Sequence, residues 1–233
     1  MALMIPGALA GQLSGKEGSV VFSRNRYGAH TRMRVMPVRA TSVAALNHKA
    51  LFGEVSRRWS TLTTADQEAW KAWAQTNPIT NRVGVRQTLD GHAAFVRCNT
   101  VLLAAGVSPL SAPGIAMAPA PFTPGAITAE DTPTLLSIVL STSPLPDNYG
   151  VIVNGCVTNN SSINYVDKLM KRLAYVPSGQ TTPLLLTTAI QATFGDLTTG
   201  QTITLDFLAV GENTGLVANR TRAIATVAHH HST

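Results

Sequence analysis

The stretch LTTGQTITLDFLAVGENTG, residues 197–215, decides the fold of the C-terminal half. Its centre, Thr202–Val210, is rich in the β-branched and large apolar residues that are typical of β-strands. Residues 198–201 before it and residues 212–215 after it contain the Gly, Asn and Thr that favour turns. The stretch therefore predicts one β-strand held between two turns.

Four other segments of the C-terminal half have the composition of strands, and turn residues separate them at the spacing of a β-sandwich. They are Leu135–Ser141, Gly150–Val157, Lys168–Val176 and Val217–Val227. The third segment also fits a helix, because Val166, Leu169 and Leu173 share a helical face, but we expect a strand in its later part. Residues 134–228 are thus predicted to form an immunoglobulin-like β-sandwich, and residues 229–233 a short tail.

The start of the quoted stretch resembles the turn and strand start of fibronectin type III domains. In that family a leucine, here Leu197, is followed six residues later by a corner tyrosine, with a proline or glycine between them, here Gly200. Ile203 takes the place of the tyrosine, so the corner hydrogen bond of the family cannot form. The resemblance implies an immunoglobulin-like topology, and we expect Ile203 to lie in the core of the sandwich.

Residues 107–133 are predicted to be a linker, because six of the 13 prolines of the chain fall there and favour an extended, stiff backbone. Residues 41–106 are predicted to be helical. The expected helices run from a cap at Thr41 or Ser42 to about Ser60, from a capping box at Thr64 to Asn77, and from near Asp90 to Gly106.

Residues 1–40 are predicted to form a glycine-rich, basic arm built on a β-hairpin, with strands at residues 19–24 and 29–35 and a turn between them. A lone hairpin is marginally stable in water, so we expect the arm to become ordered on a partner. The predicted partner-binding residues of the arm are Arg24, Arg26, Tyr27, Arg32, Arg34 and Arg39. The whole chain is predicted to be α+β, with arm, helical region, linker and sandwich in that order.

The charge of the chain is divided unevenly between its two halves. Residues 1–100 carry 13 Lys and Arg against 5 Asp and Glu, a net charge of +8, whereas residues 101–233 carry 5 against 7, a net charge of −2. This asymmetry indicates that the N-terminal half meets an acidic partner. The two cysteines predict free thiols rather than a disulfide framework, and no apolar run is long enough to suggest a membrane span.

The motifs of common enzymes and metal sites are missing from the sequence. Residues 11–16 have the wrong spacing for a phosphate-binding loop, and Glu17 stands where such a loop needs Ser or Thr. His30, His48 and His92 are scattered, without the spacing of metal ligands. We therefore expect a protein that is not an enzyme, with no catalytic residues, no metal and no cofactor.

The N-terminal half resembles a group of uncharacterised proteins encoded by tailed phages and prophages. The group opens with a glycine-rich "SGK-G–VF-R" pattern, an arginine-rich strand and a tryptophan-containing helix, and continues with "LT-Q-AW". The matching residues here are Ser14-Gly15-Lys16, Gly18, Val21-Phe22, Arg24, Leu62-Thr63, Gln67 and Ala69-Trp70. The resemblance spans about residues 7–103 and implies a virion component that is made in the cytoplasm of a bacterial host.

The function expected from these features is that of a non-enzymatic phage structural protein whose arm docks on the tail or neck. Its partners would be other virion proteins, namely portal, adaptor, tail or major capsid protein, with several copies of the chain in each particle and no membrane involved. A capsid decoration protein is the alternative. A nucleic-acid-binding protein that uses the basic arm is the further alternative.

Overall fold

The structure is a computed structural model of the 233-residue chain. It describes residues 2–3, 14–25, 28–34, 42–80, 83–115, 117–131, 133–163 and 165–229. The chain divides into two compact units, Met1–Ala94 and Phe95–Thr233. Helices and antiparallel sheets are both present, so the predicted α+β class is confirmed.

The arm forms a four-stranded antiparallel sheet. Its strands are β1 (Ala2–Leu3), β2 (Gly15–Glu17), β3 (Val20–Asn25) and β4 (Gly28–Met33), in the order β1-β4-β3-β2. The predicted hairpin is the central pair, in which β3 and β4 pair from Val20–Met33 to Asn25–Gly28. The flanking strands β1 and β2 were not predicted, since each has only two or three residues.

Three helices follow the arm, as predicted. Helix α1 (Val43–Arg58) is capped by Ser42, whose hydroxyl accepts a hydrogen bond from the backbone N–H of Ala45, and a 3₁₀ turn (Trp59–Thr61) follows it. Helix α2 (Thr64–Thr76) is capped by Thr63 rather than Thr64, because Thr63 has the extended backbone and accepts from Asp66 N–H. A small β5–β6 hairpin (Ile79–Thr80 and Arg86–Gln87) precedes α3 (Gly91–Ala105).

The C-terminal unit contains two packed antiparallel sheets. One has the strand order β11-β8-β7 and the other β10-β9-β12-β13. The strands are β7 (Pro124–Glu130), β8 (Leu135–Leu140), β9 (Tyr149–Thr158), β10 (Lys171–Val176), β11 (Leu184–Leu185), β12 (Thr202–Gly211) and β13 (Thr221–Thr226), and helix α4 (Thr187–Phe194) joins β11 to β12. Residues from both sheets form one core, which includes Leu136, Ile138, Val153, Ile203 and Phe207. Ile203 is fully buried, as predicted.

The predicted linker differs from the structure. Its last part is strand β7, which pairs with β8 inside the sandwich, because Pro124 stands at the start of the strand, where a missing N–H is tolerated. Its earlier part packs within the second unit. Phe122 is 4% exposed, and Asn99 binds both the N–H and the carbonyl of Leu110. The boundary between the compact units falls between Ala94 and Phe95, within α3, and not in residues 107–133.

Candidate interaction surfaces

The register of the arm sheet assigns its side chains to two faces. Opposed residues of antiparallel strands share a face, and successive residues alternate between faces. One face, which we call the Arg32 face, carries Lys16, Val21, Ser23, His30 and Arg32. The other, which we call the Phe22 face, carries Gly15, Glu17, Val20, Phe22, Arg24, Ala29, Thr31 and Met33.

The predicted partner-binding arginines therefore do not form one patch. Arg24 and Arg32 are both exposed, but they lie on opposite faces of the sheet. Arg34 follows β4, is exposed, and donates its backbone N–H to the carbonyl of Ser19 at 2.7 Å. The predictions for Arg26, Tyr27 and Arg39 fall outside the described residues.

The arm has little core of its own. Between Ser14 and Arg34, His30 is the one described side chain that is buried, at 6% exposed, and its Nδ1 atom is buried without a hydrogen-bond partner. Met33 is 69% exposed. Ordering the backbone of a sheet costs conformational entropy, and the burial of apolar side chains normally offsets that cost. A sheet with so few buried side chains gains little free energy in this way.

The second sheet of the sandwich has an outer face with a large polar part. Strand β12 turns Ile203, Leu205 and Phe207 into the core, so the alternate residues Thr202, Thr204 and Asp206 point outward. The β9 residues paired with these three are Thr158, Cys156 and Asn154, and the β13 residues paired with them are Thr226, Ile224 and Arg222. Thr202, Thr204 and Asp206 are nevertheless buried, and Val166, itself 3% exposed, lies on the same surface beside Thr202 and Thr204.

Asp206 is the centre of a charged network on this outer face. Its carboxylate, 1% exposed, accepts hydrogen bonds from Arg222 Nε at 2.7 Å, Arg222 Nη2 at 3.0 Å and Arg220 Nη1 at 3.2 Å. Arg222 Nη2 also donates to Asp167 Oδ1 at 2.5 Å. The hydrogen bond and positive charge of Arg222 hold the pKa of Asp167 below its usual value. Two acids balance two arginines, so the network attaches Asp167 to β13 without leaving a net charge.

A shallow groove of about 140 Å³ opens beside this network, between Ser161, Ile163 and Val166 on one side and strands β12 and β13 on the other. Its lining combines hydroxyl groups with aliphatic side chains, and the lining residues are Ser161, Ile163, Val166, Thr202, Thr204, Arg222, Ile224 and Thr226. The Oγ1 atom of Thr202 is buried there without a hydrogen-bond partner. The groove is smaller than the usual pocket for a small organic molecule, which has about 300–1,000 Å³.

A second carboxylate, that of the partly buried Glu212, joins strand β10 to the turn after β12. Glu212 Oε1 accepts from the hydroxyl of Tyr175 at 2.5 Å and from Ser178 N–H at 3.2 Å, and its Oε2 accepts from Ser178 Oγ at 2.8 Å. Burial raises the pKa of Glu212, but these hydrogen bonds outweigh burial and hold it below its usual value. Burial and the bond to Glu212 raise the pKa of Tyr175. The three side chains thus connect the end of β10 to the turn after β12.

The two thiols are placed for packing. Cys98 and Cys156 are both free and buried. Burial raises the pKa of Cys98 to about 11, and burial raises the pKa of Cys156 despite a hydrogen bond with Thr204. In the part of the chain that the structure describes, no three His, Cys, Asp or Glu side chains are arranged to hold a metal ion. None of the described helices has the length and apolarity to cross a membrane.

Comparison with known proteins gives little further information. No protein-family model and no curated protein matches the chain. Among solved structures, the adhesin domain of Epf from Streptococcus pyogenes aligns with a TM-score of 0.32 and 10% sequence identity. The alignment covers 48% of this chain and 34% of that one.

The polar outer face of the second sheet was not predicted from the sequence, although the sequence contains a pattern that indicates it. In the quoted stretch, Thr202, Thr204 and Asp206 alternate with Ile203, Leu205 and Phe207, and Arg220 and Arg222 follow with the same spacing of two. This period places the polar side chains of each strand on one face. The pairing of Asp206 with Arg222 needs the register of β12 with β13, which composition alone does not provide.

Proposed function

We propose that the chain is a non-enzymatic structural component of a tailed-phage virion and that its N-terminal arm docks it onto the particle. The observation that carries the proposal is the exposure of the arm sheet: between Ser14 and Arg34, every described side chain but His30 is at least partly exposed. A sheet of short strands with so little buried surface gains stability when another surface covers it.

The charge of the arm supports an acidic docking surface. Lys16 and Arg32 are both exposed, and they lie on the same face because each is paired with Val21 from a different side. Arginine binds carboxylates through two parallel hydrogen bonds, which fixes orientation as well as position. We therefore assign attachment to the Arg32 face, with portal, adaptor, tail or major capsid protein as the class of partner.

The sandwich supports the non-enzymatic part of the proposal. The buried carboxylate of Asp206 and the partly buried one of Glu212 are occupied by arginine, tyrosine and serine partners, and the thiol of Cys156 is buried. Each of these groups has a structural use in the described part of the chain. We assign to the sandwich the role of a rigid module that projects from the attachment point or contacts neighbouring subunits.

The first test is the presence of the chain in purified particles. Phage should be induced from the bacterium that carries the gene, purified by density gradient, and analysed by quantitative mass spectrometry. We expect several copies in each particle, and labelling with an antibody should locate them at the tail or neck. Labelling over the whole shell would favour the decoration alternative, and absence from particles would contradict both.

A further inference from the structure

The Phe22 face of the arm carries opposite charges at its two ends. Glu17, Val20 and Met33 lie in register at one end of the sheet, Gly15, Phe22 and Thr31 in the middle, and Arg24 and Ala29 at the other end. Glu17 and Arg24 are both exposed, and neither forms an ion pair or a side-chain hydrogen bond with a described residue. The large apolar side chains of the face are Val20 and Met33, which lie beside Glu17, and Phe22, which lies in the middle.

Such a face is complementary to itself. A two-fold axis that lies in the interface and runs across the strands reverses the strand direction of the second copy. The Glu17 end of one sheet then meets the Arg24 end of the other, whereas an axis along the strands would bring like charges together. A two-fold interface requires this kind of self-complementary patch, and like charges placed opposite each other disfavour the competing arrangement.

The side-chain sizes agree with the same axis. It places Phe22 near its own symmetry mate at the centre, where Gly15 has no side chain to occupy the space. It also places Met33, the largest exposed apolar side chain of the face, above the small Ala29 of the other copy. Large side chains opposite small ones allow the sheets to approach to the usual distance of about 10 Å.

We infer that two copies of this chain associate face to face through the Phe22 faces of their arms, with Glu17 of each copy paired with Arg24 of the other. The Arg32 face points away from this contact and stays available for another partner. The pairing is a property of the chain alone, so it holds or fails independently of the proposed role in a virion.

The size of the face sets the strength expected of the pairing. The four strands have 17 residues in total. At about 3.4 Å per residue and about 4.8 Å between strands, they give a face of roughly 280 Å². A stable interface covers about 800 Å² on each partner. The dimer is therefore expected to be weak and to appear as the protein concentration rises.

The pairing can be tested with the purified full-length chain by sedimentation velocity over a concentration series. We expect the wild type to shift from monomer to dimer. Glu17→Arg alone and Arg24→Glu alone should each weaken the dimer by about tenfold or more, because each places like charges together. The double variant E17R/R24E should restore it. Arg32→Glu is the matched control, since it makes the same change on the opposite face, and it should leave the dimer unchanged.

Several results would overturn the inference. These are a wild type that stays monomeric at every concentration, a double variant as weak as the single ones, and an Arg32→Glu effect as large as that of Arg24→Glu. Circular dichroism checks that each variant is folded. Met33→Ser provides a second test that does not depend on charge: Met33 is 69% exposed, so its replacement should spare the monomer and weaken the dimer. A dimer that is insensitive to Met33→Ser would place the contact elsewhere.

Discussion

At the scale of single residues, Ile203 shows how an apolar side chain fills a buried position. The sequence resemblance predicts it where fibronectin type III domains place a corner tyrosine, and in the structure it is fully buried against residues of both sheets. An isoleucine fills the site by packing alone, because no hydroxyl is present to bind the backbone. The corner is therefore held by apolar contact and by the bond from Leu197 N–H to Thr134 Oγ1, which measures 3.2 Å.

We expect Ile203→Ala to lower the free energy of unfolding by about 2–4 kcal/mol, since it leaves a cavity in the core. Ile224→Ala is the matched control, because Ile224 is 65% exposed on the neighbouring strand, and it should change the free energy by less than about 0.5 kcal/mol. Urea denaturation measures both values. Equal losses for the two variants would contradict the register of β12.

Glu212 provides a prediction with a pH dependence. Its folded-state pKa is lowered, so its contribution to stability is present above the ordinary carboxyl pKa and is lost as the pH falls through the folded-state pKa. We expect Glu212→Gln to lower the free energy of unfolding by about 1–3 kcal/mol at neutral pH. The gap between wild type and variant should close in acid. Denaturation at a series of pH values tests this, and a gap that is constant down to low pH would show that the charge is not responsible.

At the scale of elements, the segment after α3 is bound by one buried amide and by apolar contacts. Asn99, fully buried, donates to the carbonyls of Phe95 and Leu110 and accepts from Leu110 N–H at 2.6 Å. Val107 and Leu110 pack against the cluster formed by Leu102 and Ile152. This side chain thus fixes a proline-rich stretch that its composition alone describes as a linker.

Replacing Asn99 should release that segment while the sandwich stays folded. We expect Asn99→Ala to speed hydrogen exchange at the backbone amide of Leu110 by at least tenfold, because its acceptor is removed. Thr100→Ala is the control, since the Thr100 hydroxyl bonds only within its own helix, to Val96, and it should leave the Leu110 exchange rate unchanged. Equal rates in wild type and N99A, measured by mass spectrometry, would show that other contacts hold the segment.

The elements with strong local signals could be predicted from the sequence. The capping residues, the proline after α2 and the glycine after α3 predicted where the helices begin and end. The turn residues predicted where five strands of the sandwich lie. Strand β7 was not predicted, because its pairing with β8 outweighs its proline-rich context. The short strands β1, β2 and β11 were also missed, since two or three residues carry no detectable period.

The candidate surfaces could be predicted only in part, because they depend on register. The arginines of the arm were found by composition, but composition does not say which face each one occupies. Because Asn25 pairs with Gly28, the register of the hairpin places Arg24 and Arg32 on opposite faces of the sheet. A register of this kind follows from the closure of the hairpin, and a shift by one residue would exchange the faces.

At the scale of the whole molecule, the chain combines a basic, exposed arm with a sandwich that contains an internally paired charge network around Asp206. The N-terminal half has a net charge of +8, while the acids and arginines around Asp206 neutralise one another within the sandwich. In the proposed function, this division of charge corresponds to attachment by the arm and rigidity in the sandwich. Changing the exposed positive side chains of the Arg32 face, Lys16 and Arg32, tests the proposed attachment directly.

The most direct measurement is the incorporation of a charge-reversed arm into particles. Wild type and the double variant Lys16→Glu with Arg32→Glu would be produced together in one host, and quantitative mass spectrometry of purified particles would give their ratio. The control variant, Lys49→Glu with Lys168→Glu, changes the net charge equally at exposed sites outside the arm. We predict that the arm variant is depleted at least tenfold relative to wild type and that the control is incorporated normally. Equal incorporation of the arm variant and the wild type would contradict attachment through the Arg32 face.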